Sequence, residues 1–279
     1  KRQPSATVIT REEIDRAQAA TLIDLLQGQP GVEIARNGGP GAVSSIFMRG
    51  QNSTNLAIYI DGIKVQTDSI GTLKVADIPP PQIEKIEILR GNVGALYGEA
   101  ATGGVIHITT RTAAGAAGPS GSVTYGSRNT SDASVGYNIK TDDFRVGISG
   151  QQYSTTGYSA MDPKLSASIN PDNDGFKRSS LFLNAEKTVS RDLALGLQAN
   201  SIDSKASYDS ASRPDYSPAL PTDTQYTKQK SSDLTVYSKF NLNQDWSSKV
   251  ALTKSNFQSS NFYNDSPNGN ATGNRTSLN

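Results

Sequence analysis

The sequence predicts an α+β domain over residues 1 to 112, followed over residues 113 to 279 by the first strands of a transmembrane antiparallel β-barrel. Three observations support this fold class. Helix and strand signals interleave through the first part of the chain, and segments of roughly ten residues with alternating apolar and polar side chains follow Gly121. The connections between these later segments alternate between short and long, which is the pattern of outer-membrane barrels.

Two short helices are expected near the start of the chain. Thr10-Arg11-Glu12-Glu13 forms a capping box, which predicts a helix that runs to about residue 20. The apolar residues between 22 and 26 predict a second helix, which Gly28 and Pro30 end.

Several strands are expected to complete the first domain. Residues 56 to 60 and 63 to 65 flank Asp61-Gly62, and this predicts a β-hairpin because Asp-Gly suits a two-residue turn with positive φ. Residues 32 to 36 predict a further strand, and residues 83 to 89 are expected to pair into the same mixed sheet as the hairpin.

The second part of the chain carries the barrel pattern. Phe144, Val146 and Ile148 alternate with polar or small residues, as half-lipid-facing strands do. The connections run short, long, short, long, short over residues 140 to 143, 154 to 178, 188 to 192, 203 to 229 and 241 to 245. Aromatic residues near strand ends are expected to lie at the membrane interfaces, and these are Tyr125, Tyr137, Tyr153 and Trp246. A soluble β-sandwich, the alternative from periodicity alone, does not explain the alternating connections.

About seven strands are predicted between Ser120 and Phe257. An open set of strands cannot span a bilayer, because its edges would leave backbone groups unpaired in hydrocarbon. We therefore expect further strands beyond Asn279, and we expect residues 268 to 279 to form a polar extracellular loop.

Composition excludes several classes of function. The sequence has 27 lysine and arginine residues against 26 aspartate and glutamate residues, so it lacks the large net positive charge that would attract nucleic acid. The absence of cysteine excludes disulfides, thiolate metal sites and a cysteine nucleophile. No apolar run reaches 18 residues, which excludes a membrane helix, and no signal peptide opens the sequence.

No catalytic site is expected, and the protein is not predicted to be an enzyme. His107 is the only histidine, lies within a predicted strand, and has no partner for a metal site or a Ser-His-Asp set. Gly91-Asn92-Val93-Gly94 resembles a phosphate loop only superficially, since it lacks the Gly-Lys-Ser/Thr ending.

The carboxylates of the long loops leave two interpretations open. Asp172-Asn173-Asp174-Gly175 lies in the first long loop, and Asp209 and Asp223 lie in the second. Asp, Asn and Gly are common in turns for backbone reasons alone. Alternatively, closely spaced carboxylates form a calcium site, because hard divalent cations prefer several oxygen ligands. Lys177 and Arg178 could neutralise the same carboxylates.

Four motifs in fixed order resemble the plug domain of TonB-dependent outer-membrane receptors. They are Phe-Met-Arg-Gly at 47 to 50, Ile-Tyr-Ile-Asp-Gly at 58 to 62, Ile-Leu-Arg-Gly-Asn-Val-Gly-Ala-Leu-Tyr-Gly at 88 to 98, and Gly-Gly-Val-Ile-His-Ile-Thr-Thr-Arg at 103 to 111. The resemblance implies a barrel of about 22 strands in the bacterial outer membrane, with the plug in its lumen facing the periplasm. It also implies energy-coupled import, periplasmic TonB with ExbB and ExbD as partners, and a TonB box upstream of Lys1.

Within that family, the loops look most similar to those of cobalamin receptors. The similarity rests on residues 30 to 34, 37 to 39 and 44 to 50 of the plug and on residues 152 to 158, 172 to 176 and 207 to 209 of the barrel. It implies cobalamin as the transported ligand, with plug contacts at Asn37, Val43, Ser44, Ser45, Ile70 and Gly71. It also implies Ca²⁺ in the extracellular loops, held by Asp172, Asp174, Asp209 and Asp223. A further calcium aspartate of these receptors is replaced by Ser159, so a lower calcium affinity is expected unless Asp162 substitutes.

Glycine-flanked residues of the plug are expected to have structural roles. They are the pairs Arg49-Gly50, Asp61-Gly62 and Arg90-Gly91. Arg49 and Arg90 are expected to tie the plug to itself or to carboxylates of the barrel wall.

Two alternative functions remain open from the sequence. A ferric siderophore or haem could replace cobalamin, since plugs are similar across ligands while loops diverge. Less favoured is a non-transporting outer-membrane protein, such as an adhesin or a phage or colicin receptor. Outer-membrane lipid is an expected partner in every case.

Overall fold

The fold is that of a computed structural model, which describes the chain except at residues 1–4, 20, 37, 40, 43, 52–54, 66–78, 92–100, 116, 160, 162–163, 165–169, 211 and 242–245. No helix in the described part of the chain has the length and apolarity needed to cross a membrane.

Among its described residues, the N-terminal domain contains two α-helices, a 3₁₀ helix (Pro80–Gln82) and a mixed five-stranded sheet of order β1-β6-β7-β4-β5. Strand β4 pairs in parallel with β7, whereas the other neighbours in this sheet are antiparallel. Strands β2 and β3 form a separate antiparallel pair. The elements are β1 (Ser5–Ile9), α1 (Arg11–Ala17), α2 (Leu22–Leu26), β2 (Val32–Arg36), β3 (Ser44–Met48), β4 (Leu56–Ile60), β5 (Ile63–Lys64), β6 (Ile83–Arg90) and β7 (Gly104–Thr110).

Local signals place these elements where the sequence predicts them. Thr10 caps α1 through a complete capping box with Glu13, and the helix ends at Ala17, where Gln18 adopts a left-handed conformation with φ of 46°. Asp61 and Gly62 both have positive φ, 51° and 80°, and close the β4–β5 hairpin. These dihedral angles are those of the two-residue turn expected for Asp-Gly.

The core of the domain lies between the helices and the sheet. Leu22 and Leu26 of α2 are fully buried, as are Ile86 and Ile106 of the two central strands. Burial of side chains of this size stabilises a fold by about 1.5–3 kcal/mol each, so this contact explains why helices this short persist.

In the described part of the chain after β7, the strands form one eight-stranded antiparallel sheet, in which each strand pairs with the next along the chain. The strands are β8 (Gly118–Gly126), β9 (Thr130–Lys140), β10 (Phe144–Tyr158), β11 (Asp174–Ser190), β12 (Leu193–Ser207), β13 (Gln225–Asn241), β14 (Ser247–Tyr263) and β15 (Ser266–Leu278).

Seven described strands, β8 to β14, cover the range between Ser120 and Phe257, which confirms the predicted number. One expectation is wrong, because the segment predicted as a polar loop at 268 to 279 lies largely in an eighth strand, β15. Asn264 and Asp265 both have positive φ, 46° and 61°, and make a two-residue turn that sends the chain back along β14. Backbone pairing with β14 outweighs the low strand propensity of the Asn, Gly and Ser residues of this segment.

The two faces of the sheet differ as a barrel wall requires. Ile148, Leu181 and Leu234 are each about half exposed on one face, at 51%, 53% and 48%. The opposite face turns toward the N-terminal domain and carries buried Tyr237 and Thr235.

One aromatic residue lies on the other side of the wall from its predicted place. Tyr153 was expected at a membrane interface, but it is 6% exposed and its ring lies 5.8 Å from that of Phe176. Tyr153 belongs to the inward set of β10, where Arg178 also contacts the ring. Tyr125, Tyr137 and Trp246 are exposed.

The alternation of connection lengths is confirmed for the described strands. Residues 141 to 143 and 191 to 192 are short turns at one end of the sheet. The long connections, 159 to 173 and 208 to 224, lie at the opposite end. The last predicted short connection falls mainly on residues outside the described part of the chain.

Candidate functional site

Three aspartates converge at the long-loop end of the wall: Asp172 and Asp209 from the two long loops, and Asp174 from the start of β11. Carboxylate oxygens of Asp172, Asp174 and Asp209 all lie within 4.8 Å of one another. Asp172 is exposed, Asp209 is partly exposed and Asp174 is buried. Three like charges so close together repel, and a divalent cation with oxygen preference relieves this repulsion.

The repulsion is visible at Asp172. Partial burial raises the pKa of this carboxyl group, and the neighbouring carboxylate of Asp209 raises it further. Asn170 acts in the opposite direction and also accepts a hydrogen bond from the Asp172 backbone N–H at 3.1 Å.

Ser159 belongs to this cluster although it carries no charge. Its hydroxyl donates to Asp209 Oδ2 at 3.0 Å and lies 2.8 Å from the carbonyl oxygen of Met161. Ser159, which stands where the resemblance implies an aspartate, therefore forms a hydrogen bond with Asp209, one of the candidate calcium ligands. Asp162, the suggested substitute, lies outside the described residues.

The cluster lies next to the N-terminal domain, because the segment around Gly39 and Gly41 packs against the start of β11. A Cβ atom added to Gly39 would lie 3.4 Å from the Asp174 carbonyl oxygen, and one added to Gly41 would lie 2.1 Å from the Phe176 ring. Gly157 has φ of 67°, and its added Cβ would lie 1.9 Å from the Asp174 carbonyl oxygen. Glycine at these positions allows the three segments to approach closely around Asp174.

Asp223 lies outside this cluster. Its carboxylate accepts from Arg213 Nε at 2.9 Å, from the Leu220 N–H at 2.8 Å and from Asn264 Nδ2 at 3.0 Å. The Arg213 guanidinium holds the pKa of Asp223 well below its usual range. The structure thus brings three of the four predicted calcium ligands together and places the fourth in an ion pair. Asp223 still links the loops, because its carbonyl oxygen accepts from Asn170 Nδ2 at 3.0 Å.

The predicted ligand contacts of the plug are only partly described. Ser44 and Ser45 lie in β3, opposite Arg36 and Ala35, and the Ser44 hydroxyl donates to the Ala42 carbonyl at 3.1 Å. They follow Gly39 and Gly41, which lie against β11 at Asp174 and Phe176. Asn37, Val43, Ile70 and Gly71 lie outside the described residues.

On the short-turn side of the acidic cluster, Asp61 fixes the N-terminal domain to the sheet. Its carboxylate accepts from the Thr110 N–H at 2.8 Å and from the Thr110 hydroxyl at 2.7 Å. It also accepts from Asn184 Nδ2 of β11 at 3.1 Å and from Gln198 Nε2 of β12 at 3.2 Å. Burial raises the pKa of Asp61, while Thr110 and Lys249 act in the opposite direction.

A second group of wall residues supports the Asp61–Gly62 turn. Lys249 Nζ donates to the Asp61 carbonyl oxygen at 2.6 Å and lies 4.0 Å from the centre of the Tyr237 ring. The Tyr237 hydroxyl donates to Glu186 Oε2 at 2.8 Å, and Lys239 and Arg145 both pair with the same carboxylate. Ile63 packs on Tyr237, so the hairpin tip has both polar and apolar contacts with the wall.

The two glycine-flanked arginines lie within the N-terminal domain. Arg49 and Gly50 have φ of 51° and 75° and form a tight turn between Met48 and Gln51, whose backbones pair at 2.9 and 3.0 Å. Arg90 is 6% exposed and donates to Thr7 Oγ1 at 2.6 Å, which ties β6 to β1. Gly91 has φ of 108°, and its N–H donates to the Gly103 carbonyl at 3.3 Å.

His107 lies in β7 as predicted and stacks on Tyr59 with ring centres 5.1 Å apart. Burial lowers the pKa of this imidazole.

Comparison with known proteins identifies the N-terminal domain. Residues 1–105 match the family described as TonB-dependent Receptor Plug Domain. The whole chain superposes on a ferric enterobactin receptor mutant from Pseudomonas aeruginosa, with 18% identity, a TM-score of 0.71, and coverage of 100% of this chain and 46% of that one.

Two further solved structures show the same relation. The ferric yersiniabactin uptake receptor from Yersinia pestis is 19% identical, with a TM-score of 0.72 and coverage of 99% of this chain and 45% of that one. A siderophore receptor from Acinetobacter baumannii is 18% identical, with a TM-score of 0.65 and coverage of 93% and 37%.

These comparisons establish the fold. Residues 1–105 match the TonB-dependent receptor plug family, and the antiparallel strands that follow share the fold of the barrel strands in the matched receptor structures. The chain spans less than half the length of the structures that it matches.

Proposed function

We propose that this chain, the plug and first barrel strands of a TonB-dependent outer-membrane receptor, belongs to an importer of a large metal chelate. The observation that carries the proposal is the arrangement of the plug against the wall. Asp61 attaches the plug to the wall on the short-turn side of the acidic cluster, and this cluster of Asp172, Asp174 and Asp209 lies at the long-loop end. A ligand bound at the long-loop end would rest on the plug and would reach the periplasm only if the plug moved.

Two substrates of this chemical class have separate support. The named structural neighbours bind or take up ferric siderophores, and this favours a ferric siderophore over cobalamin at the level of fold. The residues of the long loops favour cobalamin, because residues 152 to 158 and 172 to 176 resemble those of cobalamin receptors and three predicted calcium ligands converge.

The physical role of the cluster is the same for either substrate. Asp172, Asp174 and Asp209 would hold Ca²⁺, and the ion would neutralise their charge and join the two loops. Loops that are already ordered lose less conformational entropy when a ligand binds, so ligand affinity would rise. The described carboxylates and the hydroxyl of Ser159 are hard oxygen donors, which fits calcium.

Energy coupling would act through the plug. Periplasmic TonB, driven with ExbB and ExbD, would pull an N-terminal segment by strand addition. Strand β1 lies at the edge of the plug sheet and pairs with β6 alone among the described strands, so force on residues before Ser5 would reach the sheet at this edge.

Equilibrium binding to the full receptor in detergent tests the proposal. Cyanocobalamin, ferric enterobactin and haem are each titrated with calcium present and with a chelator. Tight cobalamin binding that weakens with the chelator would support cobalamin import with calcium-ordered loops. Tight ferric enterobactin binding would support the siderophore alternative. Failure of all three ligands to bind would contradict the proposed substrate class.

A further inference from the structure

We propose that the outer surface of strands β11 to β13 binds the phosphate groups of a phosphorylated glycolipid in the outer leaflet of the membrane. The surface is a row of three lysines, Lys177, Lys205 and Lys228, which we call the lysine row. The inference rests on the proposed function in placing the chain in the outer membrane, and it does not depend on which ligand is imported.

Strand register places these lysines side by side. Lys177 of β11 lies directly opposite Lys205 of β12, and Lys205 lies directly opposite Lys228 of β13. Side chains directly opposite on neighbouring antiparallel strands lie about 5 Å apart at Cβ. Like charges in this arrangement destabilise a sheet, so the row costs stability unless an anion neutralises it.

Alternation along the strands places the row on the lipid-facing side. Lys177 is four residues from exposed Leu181 and therefore shares its face, and Lys228 shares the face of exposed Leu234. The inward positions between them, such as Arg178, are buried. The row lies about 13 Å along β11 beyond Leu181, on the long-loop side of the apolar surface.

Aromatic rings adjoin the row on its loop side. Tyr226 and Phe262 stack with ring centres 4.7 Å apart. Lys205 Nζ lies 3.7 Å from the centre of the Tyr226 ring, and Lys228 Nζ lies 5.0 Å from that of Phe262. Aromatic residues concentrate at membrane interfaces, so their presence places the lysine row at the depth of lipid headgroups.

Nearby carboxylates do not neutralise the row. Asp203 pairs with Lys230 at 3.2 Å, and Asp265 interacts with the Tyr226 hydroxyl. Within the part of the chain that the structure describes, no ion pair joins a carboxylate to Lys177, Lys205 or Lys228. A cationic row at headgroup depth is complementary to lipid phosphate, since each basic residue near an anionic membrane surface adds to its attraction.

The test compares two variants of the full receptor that lose the same charge from the same face. The variant Lys205→Gln/Lys228→Gln removes two members of the row, and the control Lys187→Gln/Lys254→Gln removes two exposed lysines elsewhere on the outer face. Each purified receptor is titrated with diphosphoryl lipid A and with its dephosphorylated form. Retained resistance to SDS without heating shows that each barrel is folded.

We expect the row variant to bind diphosphoryl lipid A about tenfold more weakly than the wild type, and the control to stay within about twofold. The dephosphorylated lipid should bind weakly to all three proteins. Equal affinity of the row variant and the wild type would overturn the proposal, as would an equal loss in the control. Complete displacement of the lipid by millimolar inorganic phosphate would also overturn it, because the row would then select free phosphate. Ligand import is not measured, so a wrong substrate assignment leaves this result unaffected.

Discussion

Asp61 and the cluster of Asp172, Asp174 and Asp209 are carboxylate sites at different positions along the same wall, and their surroundings differ. Asp61 accepts four hydrogen bonds from Thr110, Asn184 and Gln198, and Lys249 contacts its backbone. Asp172 and Asp209 instead lie close to each other and to Asp174, and the hydroxyl of Ser159 donates to Asp209.

This difference separates a structural attachment from a binding site. A carboxylate with several donors is satisfied within the fold, and its removal leaves those donors without an acceptor. Carboxylates that mainly face each other gain from an added cation, and their removal reduces repulsion when that cation is absent. Mutation of the first site should therefore destabilise the ligand-free protein, whereas mutation of the second should weaken cation binding without destabilising the ligand-free protein.

The largest expected effect is loss of calcium binding when Asp172 and Asp209 are both changed to Asn. Calcium affinity depends on the number of charged ligands, so removal of two carboxylates should weaken it by roughly a hundredfold or more. Calorimetric titration of Ca²⁺ into the full receptor measures this. Asp215→Asn serves as the control, since Asp215 is exposed in the same loop and accepts hydrogen bonds from Ser217 only in its own turn. Unchanged affinity in the double variant would return these aspartates to ordinary turn residues.

Replacement of Asp61 by Ala should loosen the plug without any ligand. The Thr110 N–H and the amides of Asn184 and Gln198 would lose a charged acceptor, which costs about 3 kcal/mol for bonds of this kind. Hydrogen exchange of residues 56 to 64 and 104 to 110 in the full receptor should accelerate accordingly.

Two further variants sharpen this prediction. Asp61→Asn keeps one acceptor oxygen and should fall between wild type and Asp61→Ala. Asp192→Ala, in the exposed turn between β11 and β12, should leave exchange unchanged. If calcium or the transported ligand were needed to reveal the effect of Asp61→Ala, the distinction between the two sites would fail.

A smaller effect is expected for Tyr237→Phe on the wall. The Tyr237 hydroxyl donates to Glu186 at 2.8 Å, but Lys239 and Arg145 also pair with that carboxylate. Because two cations remain, the loss should be about 1 kcal/mol in the stability of the region around Glu186. Exchange of β11 and β13 amides measures it. A loss as large as that of Asp61→Ala would show that Tyr237 has a larger share in plug attachment than its contacts indicate.

The sequence predicts the elements of this fold that have local signals. Thr10 and Glu13 begin α1 and Asp61-Gly62 closes a hairpin, because these residues act on backbone within a few positions of themselves. Strand β15 was not predicted, since its pairing with β14 depends on a partner strand more than on its own side chains. The sequence signal for this strand is Asn264-Asp265, because Asn and Asp tolerate the positive φ that a tight turn needs, as Asp61 does in the β4–β5 hairpin.

For the candidate sites too, the sequence does not reveal interactions between residues that are distant along the chain. Asp172 and Asp174 are close in sequence, and resemblance added Asp209 correctly to their group. The resemblance does not indicate that Arg213, ten residues before Asp223, forms an ion pair with the Asp223 carboxylate. The lysine row is not apparent in the sequence, because its members are separated by 28 and 23 residues and only the strand register aligns them.

The smallest effect concerns Glu13, a carboxylate satisfied by local donors alone. Hydrogen bonds from the backbone and hydroxyl of Thr10 lower the pKa of Glu13. Because the folded pKa lies below the unfolded value of about 4.3, the stabilisation is complete above that pH and is lost as the pH falls through the folded pKa. Exchange of α1 amides, compared between wild type and Glu13→Gln at each pH, should differ at pH 6 and converge in acid, where Glu13 is neutral. A difference that persists unchanged at pH 2 would mean that the charge of Glu13 does not contribute to the cap. In that case Glu13 would not belong with Asp61 among the carboxylates that the fold satisfies from within.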